Sequence, residues 1–370
     1  MRILITGGAG FIGAHAANEL LRKGHFVRAL DSLVPQVHGP ERQRPAHLNP
    51  DVELQVGDIR DSEAVSRALD GIDAVIHLVA LEGAGQSMYQ IAEYTSVNNL
   101  GTAQLLQAIS TRPIERLVVA SSMSIYGEGL YWNMQGESVT PPHRTLEQLR
   151  IGVWEMLGED GEPLKPVATP ETNHPELASV YALSKYDQEQ MCAIVGRTCG
   201  IPVVSLRLFN TYGPHQALSN PYTGVLGHFA TRVLNDQPPL IYEDGLQQRD
   251  FVSVYDVARA CRLALESPRA AGQCFNISSG HPMTVTELAT RVIKAISLTD
   301  IAPEITGKFR AGDIRHCFAD ITRARLTLGW EPQVSLERGL EDLAEWLTSR
   351  RVEDRALDVR SEPAVRGLTA

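Results

Sequence analysis

The chain opens with residues 1–13, MRILITGGAGFIG, an apolar run that leads directly into a glycine-rich turn. A turn of this kind between a strand and a helix predicts dinucleotide binding. One glycine allows the tight turn, one lets a pyrophosphate approach the backbone, and one lets the helix pack on the strand. The helix would begin near Phe11 and direct its free N–H groups and positive dipole end at the phosphates. The predicted contacts are Gly7, Gly10, Phe11, Ile12 and Gly13. A purely structural turn is the alternative, which the strand and helix context disfavours.

Acidic residues end the next predicted strands. Asp31 lies roughly 20 residues beyond the turn, where an acid holds the adenosine ribose hydroxyls and repels a 2′-phosphate. We therefore expect NAD rather than NADP, with Ser32 beside the same site. Asp58 is a candidate acceptor for the adenine amino group, with Ile59 as its neighbour. A helix cap or turn acid is the alternative role for Asp58.

Apolar runs alternate with helical patterns through the first two hundred residues. The predicted strands are 3–5, 26–30, 52–56, 74–79, 117–120 and 201–208, and the predicted helices are 12–22, 62–69, 98–109 and 181–195. Continuous apolar strands separated by helices indicate a parallel sheet covered on both faces. The fold class is therefore α/β, a Rossmann doubly wound parallel sheet with a smaller, partly interleaved C-terminal substrate domain.

The pattern changes after residue 207, where Asn, Tyr, Gly and Pro become frequent. We predict a cofactor domain over 1–207 plus 248–277, and a substrate domain over 208–247 plus 278–350. Residues 127–180 form a proline-rich insertion without clear periodicity, either a binding loop or a surface decoration. The charged tail 351–370 is predicted to be mobile.

Composition excludes several classes of protein. The 370 residues are 43% hydrophobic with a formal net charge of −10, so no basic surplus is available for nucleic acid or an anionic membrane. The five cysteines are scattered without a CxxC pair, which argues against a disulfide framework or metal site and favours the cytoplasm. We find no signal peptide and no apolar run of about 18 residues, so no membrane span is expected.

A second constellation carries chemistry. Ser121 and Ser122 end the fifth predicted strand, and YALSK (181–185) lies on a later helix. Tyr181 and Lys185 are four residues apart and share a helix face. An ammonium near a phenol favours the phenolate, and the positive ring of NAD adds to this, so the tyrosine pKa should fall and Tyr181 should act as a general base. Such a pair alone is common by accident, and its position after a dinucleotide turn makes it specific.

Together these residues resemble the extended short-chain dehydrogenase/reductase family of NAD-dependent nucleotide-sugar epimerases and dehydratases. The resemblance runs from residue 1 to about 347. It includes VN (97–98) with GT (101–102), SS (121–122) with IYG (125–127), RLFN (207–210) with YGP (212–214), RDFV (249–252), RAGDIR (310–315) and GWEP (329–332).

The resemblance implies a role for each matching residue. Ser122, Tyr181 and Lys185 would be catalytic. The implied cofactor contacts also include Val79, Ala80, Asn98, Ser121 and Phe209, with Asn98 beside the nicotinamide pocket. The implied substrate contacts are Ser122, Ser124, Asn210, Asn220, Val225, Arg249 and Asp313. For Asp313 the alternative is a surface ion pair with Arg315.

The resemblance also narrows the reaction. Dehydratases of the family carry Asp and Glu after the catalytic Ser/Thr, whereas this chain has Met123 and Ser124. The expected reaction is 4-epimerisation of a nucleotide-diphosphate sugar through a transient 4-keto intermediate. Residues 216–225 and 242–245 resemble a subgroup of dTDP-L-rhamnose 4-epimerases. UDP-glucose or UDP-glucuronate 4-epimerisation, a nucleotide-sugar 4-ketoreductase and a non-catalytic dinucleotide sensor are the alternatives. A homodimer is the family's habit.

Overall fold

The computed structural model describes residues 1–217, 224–297, 300–310 and 312–348, so predicted residue Asn220 and the tail 351–370 lie outside the described residues. The strands are β1 Arg2–Thr6, β2 Phe26–Asp31, β3 Glu53–Val56, β4 Ala74–His77, β5 Arg116–Ser122, β6 Leu130–Trp132, β7 Ser138–Val139, β8 Lys165–Val167, β9 Val203–Leu208, β10 Asn210–Tyr212, β11 Leu240–Ile241, β12 Gln248–Arg249, β13 Phe251–Ser253, β14 Gln273–Ile277, β15 Met283–Thr284, β16 Glu304–Ile305 and β17 His316–Cys317.

The α-helices are α1 Phe11–Arg22, α2 Pro35–His38, α3 Ser62–Ala68, α4 Ala84–Ser87, α5 Ile91–Tyr94, α6 Gly101–Ile109, α7 Leu146–Arg150, α8 Val180–Cys199, α9 Val225–Leu234, α10 Val254–Glu266, α11 Val285–Ile296 and α12 Leu336–Thr348. Short 3₁₀ turns cover Met123–Tyr126 and Pro268–Ala270, and π-helical turns cover Thr95–Leu100 and Ala324–Leu328. The segment predicted as one helix over 98–109 therefore begins as a wider π turn.

The central sheet has the strand order β14-β9-β5-β4-β1-β2-β3, and each neighbouring pair is parallel. The chain builds outward from β1 through β2 to β3, then crosses to β4 on the other side of β1. Ligands of open α/β sheets bind outside the carboxyl ends of the strands where the order reverses in this way. The predicted Rossmann α/β fold is confirmed.

Burial on both faces explains the continuous apolar strands. In β1, Ile3 and Ile5 pack into the cluster that holds the alanines of α1, whereas Leu4 packs with Val65 and Leu105 on the opposite face. The side chains of Ile3, Leu4 and Ile5 are all fully buried. Fully burying such a side chain contributes about 1.5–3 kcal/mol, so β1 is anchored from both layers.

The remaining chain forms a smaller lobe with its own core, built largely from α9, α11 and α12. Strand β12 pairs with β15 and β17 in this lobe, whereas β14 returns to the central sheet. The insertion 127–180 contains an antiparallel pairing of β6 with β7 and β8, and helix α7. No helix among the described residues has both the length and the apolar character to cross a bilayer.

Candidate active site

A cavity of about 830 Å³ lies at the carboxyl edge of the central sheet, and residues of the smaller lobe close its other side. This volume is in the range typical of small-molecule and cofactor sites. The predicted site residues on its wall are Gly7, Gly10, Phe11, Ile12, Gly13, Asp31, Ser32, Asp58, Ile59, Val79, Ala80, Ser121, Ser122, Ser124, Tyr181, Lys185, Phe209, Asn210, Val225, Arg249 and Asp313.

The glycine turn forms the floor of one side of the cavity. Gly7 has a φ of +72°, a conformation that other residues rarely adopt. A Cβ on Gly13 would lie 2.3 Å from the Gly7 carbonyl oxygen, so the turn and helix α1 approach too closely for any side chain there. Gly10 caps α1 and no side chain accepts from the first turn. This cradle fits the pyrophosphate of a dinucleotide.

Asp31 supports this turn as well as facing the cavity. Its carboxylate accepts from the Ala9 N–H at 3.1 Å and from the Leu33 N–H at 2.9 Å, and it lies 3.6 Å from His38. Asp58 pairs with Arg60 through two side-chain hydrogen bonds of 2.9 and 2.7 Å, which hold the pKa of Asp58 below its usual value. Both carboxyl groups therefore lie at the cavity wall.

The predicted catalytic residues come from β5 and α8. Ser122 ends β5, and its Oγ accepts from the Ser124 N–H at 3.1 Å and hydrogen-bonds the Ser124 hydroxyl at 2.9 Å. Ser179 caps α8 by accepting from Ala182 N–H, which fixes the start of the helix that carries Tyr181 and Lys185. All three predicted catalytic side chains reach the same cavity.

The predicted fall in the tyrosine pKa is wrong for this structure. Burial raises the pKa of Tyr181, the charge of Glu82 raises it further, and a hydrogen bond from Ser122 only partly opposes them. The Lys185 ammonium instead donates to Gln188 Oε1 at 2.6 Å. Burial also lowers the pKa of Lys185 to about 8. The charge that favours a phenolate must therefore come in part from a bound group.

Behind Lys185 a chain of buried hydrogen bonds crosses to β1. The Gln188 amide donates to Thr102 Oγ1 at 2.8 Å, His77 Nε2 contacts the same oxygen at 2.8 Å, and His77 Nδ1 contacts Thr6 Oγ1 at 2.7 Å. Because the Thr102 hydroxyl donates to the Asn98 carbonyl, His77 Nε2 must carry the proton. Burial lowers the pKa of His77 to about 3, so this link is neutral.

Asn98 is not among the residues that line the described cavity, and its predicted contact with the cofactor stays a prediction. It is fully buried in the π turn, where its amide donates to the Leu81 carbonyl and to Ser184 Oγ and its oxygen accepts from Leu81 N–H. Asn98 therefore ties the segment after β4 to helix α8.

On the smaller-lobe side, the predicted residues are held by backbone carbonyls. Asn210 donates to the Asp250 carbonyl at 2.8 Å. The Arg249 guanidinium donates to the carbonyls of Arg315, at 2.9 Å, and Ile314. The alternative of a surface ion pair between Asp313 and Arg315 is wrong, because Arg315 is fully buried and pairs with Glu155, Glu243 and Asp244.

The cavity wall also carries charged residues that the sequence reasoning did not predict, among them Arg310 and Glu82. Arg310 lies over the Tyr242 ring at 4.7 Å, and both line the cavity. Its only sequence signal was its place at the start of RAGDIR (310–315). Glu82 lines the cavity close enough to affect Tyr181 and Lys185. Its carboxylate opens to the cavity but is surrounded by protein, and burial raises its pKa.

Comparison with known proteins adds family information. Residues 3–148 and 150–278 match the model of the NAD-dependent epimerase/dehydratase family. The chain is 35% identical over 350 residues to a dTDP-L-rhamnose 4-epimerase of Burkholderia thailandensis, covering 94% of each chain.

Solved structures of UDP-glucose 4-epimerases are also similar to this chain. The UDP-glucose 4-epimerase of Thermotoga maritima, solved with UDP-glucose, superposes with a TM-score of 0.76 at 30% identity over 94% of this chain and 99% of that one. The UDP-glucose 4-epimerase of Thermus thermophilus, solved with NAD, gives 0.71 at 30% identity over 94% and 98%.

Proposed function

The chain belongs to the NAD-dependent epimerase/dehydratase family, and from that premise we propose that it inverts C4 of a nucleotide-diphosphate sugar, with dTDP-L-rhamnose as its substrate. The general activity, an NAD-dependent 4-epimerase, agrees with its relatives. One observation carries the mechanism: Ser122, Tyr181 and Lys185 line the same cavity as Arg249 and Arg310. The serine, tyrosine and lysine suit proton transfer at a sugar hydroxyl, and the two guanidinium groups suit binding of a diphosphate.

The residues present fit NAD. The close approach at Gly7 and Gly13 leaves a cradle without side chains, and the buried Ser121 hydroxyl has no hydrogen-bond partner among the described residues. Asp31 and Asp58 would hold the adenosine end. When bound, NAD supplies a reversible acceptor for the C4 hydride and is not consumed.

The protein's own residues handle the proton. Tyr181 removes the proton from the 4-hydroxyl and later returns it to the same oxygen. Ser122, itself held by Ser124, positions that oxygen. Since the Tyr181 pKa is raised, the ammonium of Lys185 and the charge of the bound cofactor must favour the phenolate. The sugar turns about its anchored diphosphate between the two steps, so positioning is the chief contribution of the smaller lobe.

Side-chain chemistry supports epimerisation over elimination, because neither Met123 nor Ser124 offers the extra acid and base needed to remove water. The relative from Burkholderia thailandensis favours dTDP-L-rhamnose. UDP-glucose is the second candidate, favoured by the match to the Thermotoga maritima structure.

Purified protein incubated with each of dTDP-L-rhamnose, UDP-glucose and UDP-glucuronate tests the proposal, with products read by NMR. We expect the 4-epimer of dTDP-L-rhamnose to form without added cofactor and with no continuous change in absorbance at 340 nm. Continuous NADH consumption would instead indicate a ketoreductase. Absence of product from all three sugars would contradict the proposal.

We further propose a homodimer through the face of α8. Leu183 and Ile194 lie eleven residues apart, about three helical turns, and are 46% and 53% exposed. Leu100, in the adjacent π turn, is 50% exposed. Sedimentation should give a dimer for the native protein and a monomer for Leu183→Glu. A monomeric native protein would rule the dimer out.

A further inference from the structure

The insertion has a folded part, residues 128–169, that lies against the wall of the cavity. It contains β6, β7, β8 and α7, and its own small core of Tyr131, Met156 and Leu164. We propose that this segment, called here the brace, positions Arg249 and Arg310 for the substrate diphosphate. The proposal rests on the proposed function and extends it to residues outside the cavity.

The brace first holds the backbone of β17. The Glu128 carboxylate accepts from the N–H groups of Arg315 at 2.6 Å and of His316 at 3.1 Å. The Gly129 N–H donates to the His316 carbonyl at 2.8 Å. One end of the brace therefore binds both the N–H group and the carbonyl group of His316 in this short strand.

Buried charges join the brace to the smaller lobe. The Arg315 guanidinium bonds Glu155 of the brace, and also Glu243 at 2.9 Å and Asp244 at 2.7 Å. Arg144 of the brace pairs with Glu243 at 2.9 Å, with both side chains almost fully buried. Hydrogen bonds with His316 and Arg315 lower the pKa of Glu155 to about 2, so its charge is kept across the working pH range.

The brace also contacts the residues that hold or adjoin Arg249 and Arg310 on the cavity wall. Arg144 donates to the Asp313 carbonyl at 2.8 Å, and Arg249 donates to the Arg315 carbonyl at 2.9 Å. Trp154 of the brace packs against Phe309, the neighbour of Arg310, with ring centroids 6.1 Å apart. The guanidinium groups of Arg249 and Arg310 are thus each one residue or one hydrogen bond away from a residue that the brace contacts.

A buried ion network is weak evidence for stability, since apolar residues often serve as well. The network does fix the orientation of the side chains that it holds. A guanidinium binds a diphosphate strongly only when its N–H donors already point at the binding position. Arg144 is therefore a positioning residue, and its loss should weaken nucleotide binding more than the chemical step.

The test compares Arg144→Lys with Arg150→Lys, an exposed arginine at the end of α7 that serves as the matched control. Arg144 also donates to the Trp154 carbonyl at 3.0 Å. The lysine keeps the charge beside Glu243 but cannot reach all three partners, which are Glu243 and the carbonyls of Trp154 and Asp313. We expect the KM for the nucleotide sugar and the calorimetric Kd for dTDP to rise about tenfold, with kcat within twofold and NAD content unchanged. Arg150→Lys should match the native protein. Glu155→Gln, which keeps the side-chain shape, should act in the same direction.

If the native protein, Arg144→Lys and Glu155→Gln all bind dTDP equally well, the proposed role of the brace is overturned. Equal losses in kcat and in NAD content would also overturn it, because they would indicate general destabilisation. Native protein that binds neither dTDP nor UDP would instead overturn the proposed function, and the brace would lose its target with it.

Discussion

The two walls of the cavity are held in place differently. The cofactor wall stands on the ends of β1, β2, β4 and β5, neighbouring strands of one parallel sheet. The substrate wall stands on β12 and β17, neighbouring strands of a short three-stranded sheet, and on residues 310 and 312–314, and side-chain charges from distant parts of the chain hold these segments together. Backbone pairing in one large sheet fixes the first wall, whereas the second combines short strand pairing with a buried ion network.

This difference predicts that substitutions on the two walls impair the enzyme in different ways. Under the proposed function, a change on the cofactor wall should act on the chemical step or on retention of NAD, because those residues would surround the reacting proton. A change on the substrate wall should act on binding, since its charges would anchor the diphosphate. The following variants test that separation.

Tyr181→Phe should give the largest effect. Removing the oxygen that takes the proton should lower kcat by about 10²–10⁴, with KM, NAD content and melting temperature little changed. Tyr186→Phe, on the same helix but away from the described cavity wall, is the matched control. Steady-state kinetics on both proteins measure this. A Tyr181→Phe enzyme with native kcat would assign proton transfer elsewhere.

Gly13→Ala should be next. The added Cβ would lie 2.3 Å from the Gly7 carbonyl, so α1 must move away from the glycine turn. Overpacking of this kind destabilises by about 1–3 kcal/mol. We expect a lower melting temperature and loss of resident NAD, measured by chromatography of the denatured protein. Gly158→Ala, where a Cβ meets only contacts of 3.4 Å and longer, should retain NAD. Full NAD retention in both would show that the turn tolerates a side chain.

Arg310→Gln tests the substrate wall. A charge-assisted hydrogen bond contributes about 1.5–3 kcal/mol, so the KM for the nucleotide sugar should rise at least about tenfold while kcat stays within a fewfold. Lys308→Gln changes an exposed cation two residues away and should have no effect. A loss confined to kcat would place Arg310 with the chemical step and remove the distinction between the walls.

Glu82→Gln should give the smallest effect. The Glu82 charge raises the pKa of Tyr181, so its removal lowers that pKa and the phenolate forms at lower pH. The rising limb of the kcat profile should therefore move to lower pH by less than about one unit. Glu93→Gln, another cavity acid that does not perturb Tyr181, is the control. A shift to higher pH would contradict the electrostatic assignment.

The predicted cofactor residues rest on local signals in the sequence. The glycine turn follows β1 directly, Asp31 and Ser122 end β2 and β5, and Asp58 comes two residues after β3, so all meet at one edge of the sheet. The substrate wall was predicted only through family motifs. The partners of Arg315 lie 160 and 71 positions away, in Glu155 and Asp244, and no spacing rule connects them.

One wrong prediction has a physical reason. The Tyr181 pKa was expected to fall because of the Lys185 ammonium and the NAD ring, but spacing does not show that Gln188 accepts from the ammonium or that the Glu82 charge opposes the phenolate. Asn98 was expected beside the nicotinamide pocket, and its spacing did not show that the π turn directs its amide to Leu81 and Ser184. Such local departures from regular helix geometry are not visible in a residue pattern.

The buried hydrogen-bond chain from Lys185 to Thr6 has an evolutionary consequence. Gln188, Thr102 and His77 each satisfy the next member, so replacing one strands a buried donor or acceptor on its neighbour. These positions should therefore change together in a lineage or not at all. Epistasis is built into the site: the residues that limit its divergence do not touch the sugar.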